Sequence, residues 1–152
     1  MIAKQREPFY VVGISVRTTN EDQKAMEDIP ALWQRFMSEN IAKQIPNKSS
    51  DEIYAVYTDY ESDYTKPYTT IIGCRVDEIT NIPEGMISKK IEAPSYEKHV
   101  AKGNLTEGVV YNKWIEIWNE DINRAYTSDF EVYGSKAADP TNAEIEIFIG
   151  VN

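Results

Sequence analysis

The sequence predicts an α+β fold: one antiparallel sheet with two helices on one face and a cleft between them, built from a β-α-β-β unit used twice. Three observations carry this. Apolar residues switch between alternation and a helical period in the order strand, helix, strand, strand, and that order then begins again. Short echoes accompany the repeat: Pro8-Phe9-Tyr10 resembles Pro94-Ser95-Tyr96, and residues 29–33 (IPALW) resemble residues 110–114 (VYNKW). A half of about 75 residues is also too small to bury much core alone, whereas two halves side by side can share one sheet. The expected organisation is a single domain over residues 1–152, with pseudo-repeats at about 7–80 and 86–152.

The first half opens on residues 8–19 (PFYVVGISVRTT), a run of aromatic and β-branched residues that reads as a strand. Residues 25–45 have a helical period, with Ile29, Leu32, Trp33, Phe36, Met37 and Ile41 on one broad face. Pro30 is tolerated only near the first turn, so the helix is expected to start close to Asp28, and Pro46-Asn47 ends it. Residues 51–58 and 68–76 read as two strands of a hairpin, joined by a polar connection with two further tyrosines. In the second half, residues 86–102 contain one long strand-like segment. A second helix is expected from Val109 to about Arg124, then strands at 129–133 and 144–151. In the last strand Ile145, Ile147 and Ile149 face one way, and Glu144, Glu146 and Phe148 the other.

Composition narrows the function. The chain has 152 residues, 41% hydrophobic and 27% charged, which suits one globular domain. No apolar run approaches the ~20 residues of a membrane helix, and residues 1–10 lack an apolar signal region, so a cytoplasmic location is expected. A net charge of −9 argues against direct nucleic-acid binding, which needs a clustered positive field. The same charge raises the local concentration of cations. The single Cys74 excludes an internal disulfide and reads as a small buried thiol. His99 is the only histidine and makes a zinc site only with help from carboxylates, so neither metal nor cofactor is expected. There is no Gly-x-Ser-x-Gly elbow and no phosphate loop.

The candidate site is the stretch from Tyr111 to Tyr133. A helical period places Tyr111, Trp114, Ile115, Trp118 and Ile122 on one face. On the strand that follows, Glu131 and Tyr133 share a face opposite Phe130 and Val132. A carboxylate beside a tyrosine and within reach of two indoles suits a cationic aromatic ligand. The rings attract the cation through their quadrupoles and the carboxylate neutralises it. From the first half, Trp33, Phe36 and Tyr57 are candidate walls, the alternative for the first helix being a role in the core alone.

Several runs resemble the GyrI-like family. Residues 57–61 (YTDYE), 68–76 (YTTIIGCRV) and 82–85 (IPEG) are similar to its first half. The Trp114–Trp118 helix, the Phe130-Glu131-Val132-Tyr133 strand and residues 144–149 (EIEIFI) are similar to its second, so the likeness spans about 7–151. The family includes effector-binding domains of AraC- and MerR-type multidrug regulators and stand-alone members, some carried on integron cassettes. The resemblance implies an aromatic pocket for lipophilic cations, with Glu131 as pocket carboxylate and Trp114 and Trp118 as aromatic walls. No helix-turn-helix stretch precedes Pro8 or follows Val151, so the expected function is a stand-alone binding protein for lipophilic cationic or aromatic compounds. One alternative is a hydrolase of strained electrophiles that uses Glu131 with a tyrosine as proton donor. Another is an acidic module that docks on a protein partner, and a homodimer is also open.

Overall fold

The computed structural model describes the chain from residue 3 to residue 152. Its elements are β1 (Ala3–Lys4), β2 (Phe9–Thr18), α1 (Ala25–Ser38), α2 (Ile41–Gln44), β3 (Ile53–Thr58), β4 (Tyr68–Val76), β5 (Ile87–Ile91), β6 (Ser95–Gly103), α3 (Val109–Trp118), β7 (Ser128–Tyr133) and β8 (Ala143–Val151). The strands form one antiparallel sheet in the order β1-β6-β8-β7-β3-β4-β2-β5. The β2-α1-β3-β4 and β6-α3-β7-β8 units meet at the centre, where β3 pairs with β7. The two outermost strands are exchanged between the units. β1 precedes the first unit but pairs with β6, and β5 precedes the second but pairs with β2.

The helices cover one face, as the α+β reading requires. Leu32 and Phe36 of α1 and Ile41 of α2 pack on Val12, Ile14, Ala55, Ile72 and Cys74. Trp114 and Ile117 of α3 pack on Ile145, Ile147 and Ile149. The opposite face carries a third cluster around Phe9, Tyr54, Phe130 and Phe148. Arg6 and Arg75 cover its rings, 4.6 Å from Phe148 and 4.7 Å from Phe9. Cys74 is buried within the sheet, and desolvation pushes its thiol pKa up. Gly13 pairs with Gly73, and a Cβ on either would lie 2.1 Å from a carbonyl oxygen of the other strand. Only glycine permits that approach of β2 to β4.

Four boundaries differ from the sequence reading. α1 starts at Ala25, not near Asp28, because the Ala25 N–H donates to the Thr19 carbonyl (2.9 Å) and opens the helix early. Pro30 then sits in the second turn, where its missing N–H frees only the Met26 carbonyl. The helix stops at Ser38, and Asn40 in the left-handed region (φ 52°) starts the separate α2. The segment at 86–102 is two strands, not one, broken at Glu92-Ala93-Pro94; Pro94 has no N–H for a ladder. α3 ends at Trp118, six residues before Arg124. Beyond it, Ala125 donates to the Gly150 carbonyl (2.8 Å), and Arg124 bridges Val151, so the chain is held to β8 instead of continuing the helix.

Candidate functional site

Strand alternation decides which groups meet on the helix-bearing face of the central pair. Ile53, Ala55 and Tyr57 of β3 stand opposite Tyr133, Glu131 and Asp129 of β7. Ala55 is directly across from Glu131, and its small side chain leaves the carboxylate room. Above this floor lies a cavity of about 1270 Å³ walled by α1 and α3. α1 contributes Met26, Ile29, Trp33 and Met37, and α3 contributes Val110, Tyr111, Trp114 and Trp118.

Glu131 is 1% exposed and lines this cavity. Its Oε2 accepts hydrogen bonds from the Tyr57 hydroxyl (2.8 Å) and the Trp114 indole Nε1 (2.6 Å). Its Oε1 accepts one from the Tyr133 hydroxyl (2.7 Å). All three donors are neutral, and among the described residues Glu131 forms no ion pair with a Lys or Arg. Burial raises its pKa above the ordinary 4.5, against the three hydrogen bonds, which lower it. Burial, and then the charge of Glu131, push the pKa values of Tyr57 and Tyr133 well above that of free tyrosine, so both hydroxyls stay protonated donors.

Two residues earlier on the same face, Asp129 is 0% exposed but differently served. Its Oδ2 accepts from Arg124 Nη2 (2.7 Å) and the Tyr60 hydroxyl (2.5 Å), and its Oδ1 accepts from the Gly150 N–H (2.7 Å). Desolvation opposes the charge on Arg124, but the Asp129 carboxylate outweighs it and the Arg124 pKa is raised. The guanidinium also lies against the Tyr126 ring, 4.4 Å from its centroid.

The cavity gathers most of the residues singled out from sequence. Glu131, Trp114, Tyr133 and Tyr57 form one hydrogen-bonded group, and Trp33 packs edge-on against Tyr133 at 4.9 Å. Trp118 and Tyr111 line the same cavity, and Trp118 stacks flat on Tyr64 at 5.2 Å and 6°. Phe36 does not reach it. At 1% exposed it is part of the core beneath α1, in contact with Trp33. On α3, Ile117 and not Ile115 packs on the sheet; Ile115 is 37% exposed. The sequence reading passed over Tyr60, Tyr64, Tyr68, Asn20 and Arg124, which also line the cavity. The available signal was the pair of tyrosines between β3 and β4. No His or Cys is among the lining residues, so nothing there favours a soft metal ion.

Known proteins share this fold. An integron cassette protein from the mobile metagenome of Vibrio cholerae, VCH_CASS2, superposes with a TM-score of 0.77 at 33% identity, over 99% of this chain and 95% of that one. SAV2435, solved bound to tetraphenylphosphonium, superposes with a TM-score of 0.80 at 20% identity, over 100% and 94% of the two chains. YobU of Bacillus subtilis (strain 168) is 29% identical over 143 residues, 91% of this chain and 89% of its own. The family model for Cass2, the integron-associated effector-binding protein, matches residues 4–151, and the chain belongs to that family.

Proposed function

We propose that this effector-binding protein takes lipophilic cationic aromatic molecules into the cavity between α1 and α3, with Glu131 as their counter-ion. The observation that carries this reading is the unpaired, buried Glu131 carboxylate, held by three neutral donors beneath aromatic walls. An ionised carboxylate withdrawn from water is costly without a cationic partner. A delocalised cation supplies that charge at low desolvation cost, and the rings of Trp33, Trp114, Trp118 and Tyr133 offer it their negative faces. The cavity volume of about 1270 Å³ exceeds the roughly 300–1,000 Å³ of ordinary ligand pockets, which suits bulky multi-ring cations. The tetraphenylphosphonium held by SAV2435, which shares the fold, is a ligand of this class.

The test is calorimetry with tetraphenylphosphonium and with a neutral aromatic of similar shape. The cation should bind more tightly by a few kcal/mol at most, because desolvation offsets part of the attraction. Equal affinities for the two would remove the counter-ion role.

A further inference from the structure

A second group of ionisable side chains lies outside the cavity, at the far end of α3. Glu97 and His99 share a face of β6, and Glu120 follows the last turn of α3. The ring of His99 is buried, at 2% exposed, and its Nε2 lies 2.9 Å from Glu97 Oε1. Glu97, His99 and Glu120 each bring one donor atom within 4.8 Å of the others.

Among the described residues neither carboxylate forms an ion pair with a Lys or Arg, and the adjacent Lys98 points to the other face and pairs with Glu146. The group also lies just past the C-terminus of α3, where the Asn119 and Glu120 N–H groups still bond back to Ile115 and Ile117. A helix end of that polarity favours a cation.

We infer that Glu97, His99 and Glu120 form a binding site for a divalent metal ion of the zinc type. One imidazole nitrogen and two carboxylate oxygens are a donor set zinc accepts, with water completing the tetrahedron. Two carboxylates and a neutral imidazole balance the charge of the ion. In a tetrahedron, zinc–ligand bonds of about 2.0–2.2 Å put two donors about 3.3–3.6 Å apart. The remaining closure falls to Glu120, whose side chain is exposed and free to turn. The site then ties β6 to the chain leaving α3.

Zinc chloride titrated into the full-length protein, prepared without a histidine tag, tests this. His99 is the only histidine, so its ring proton resonances report on this site alone. One equivalent of zinc should bind at micromolar concentration and shift those resonances. Glu120→Gln, a change at an exposed position, should weaken binding at least tenfold and leave the melting temperature of the metal-free protein unchanged. Zinc that binds but leaves the His99 resonances in place, binding unaltered in Glu120→Gln, or no saturation below millimolar zinc would each overturn the assignment.

Discussion

Glu131 and Asp129 stand two residues apart on one strand, point the same way and are equally buried, at 1% and 0% exposed. Asp129 has a guanidinium, a backbone N–H and a hydroxyl. Glu131 has two hydroxyls and an indole N–H. The difference is one positive charge. A buried anion with its own cation is finished as structure, and its energy is spent on holding the loop after α3 against the sheet. A buried anion with neutral donors only is oriented and partly stabilised, yet still lacks a countercharge. Burial alone therefore does not mark a functional carboxylate. The identity of its partners does.

The largest effect should come from Asp129. Asp129→Asn leaves Arg124 as an uncompensated buried cation, and breaking such a pair costs roughly 3–5 kcal/mol. Urea denaturation measures it. A loss well under ~1 kcal/mol would mean that the pair is not structural, and the contrast with Glu131 would collapse.

Glu131→Gln should do the reverse. The charge is removed while size is retained, and an amide NH2 turned towards Tyr133 can donate to its hydroxyl oxygen where Glu131 accepted, so the protein should be as stable as before at neutral pH, or slightly more so. Affinity for tetraphenylphosphonium should fall by roughly 2–4 kcal/mol if the bound pair is dry. The pH dependence follows from the raised pKa. The folded protein holds the Glu131 proton to higher pH than the unfolded chain does, so the contribution of Glu131 to stability is fully present below the ordinary 4.5 and is lost as pH rises through the folded value. Cation affinity should rise with pH through the same window, because only the ionised form is a counter-ion. Glu131→Gln should remove the Glu131 contribution to the first and flatten the second.

Local patterning made much of the site legible. The parity that sets Glu131 beside Tyr133 is a property of four residues, and the three- and four-residue spacings on α3 brought Tyr111, Trp114 and Trp118 together. What failed was decided at a distance. Phe36 and Trp33 fall on one helical face by period, and only the sheet below determines that Phe36 enters the core while Trp33 turns to Tyr133. The end of α3 depends on hydrogen bonds to β8, which no spacing within residues 109–124 encodes. Tyr60 reaches Asp129 across 69 positions of sequence, and Arg124 looked like one more helical residue. Asp129 itself drew no notice because a lone Asp at a strand start reads as solvated.

The finest test compares the two carboxylates by taking one tyrosine hydroxyl from each. Tyr133→Phe keeps the ring against Trp33 and removes the one hydrogen bond that Glu131 Oε1 accepts among the described residues. A hydrogen bond to a charged group is worth about 1.5–3 kcal/mol. With no Lys or Arg paired to it among the described residues, the ionised form of Glu131 loses that support and its pKa climbs further. The pH midpoint for cation binding should move upward by the same amount, read from dye titrations across pH. Tyr60→Phe removes a comparable hydroxyl from Asp129, but the Arg124 and Gly150 donors remain, both at 2.7 Å. The expected cost is smaller, roughly 0.5–1.5 kcal/mol of stability, with the binding midpoint unmoved. The Tyr60 ring stays as a cavity wall, so affinity at high pH should also be close to that of the unaltered protein. If Tyr60→Phe displaced the midpoint as far as Tyr133→Phe, the two carboxylates would be acting as one unit. The division into a structural and a receptor anion would then fail.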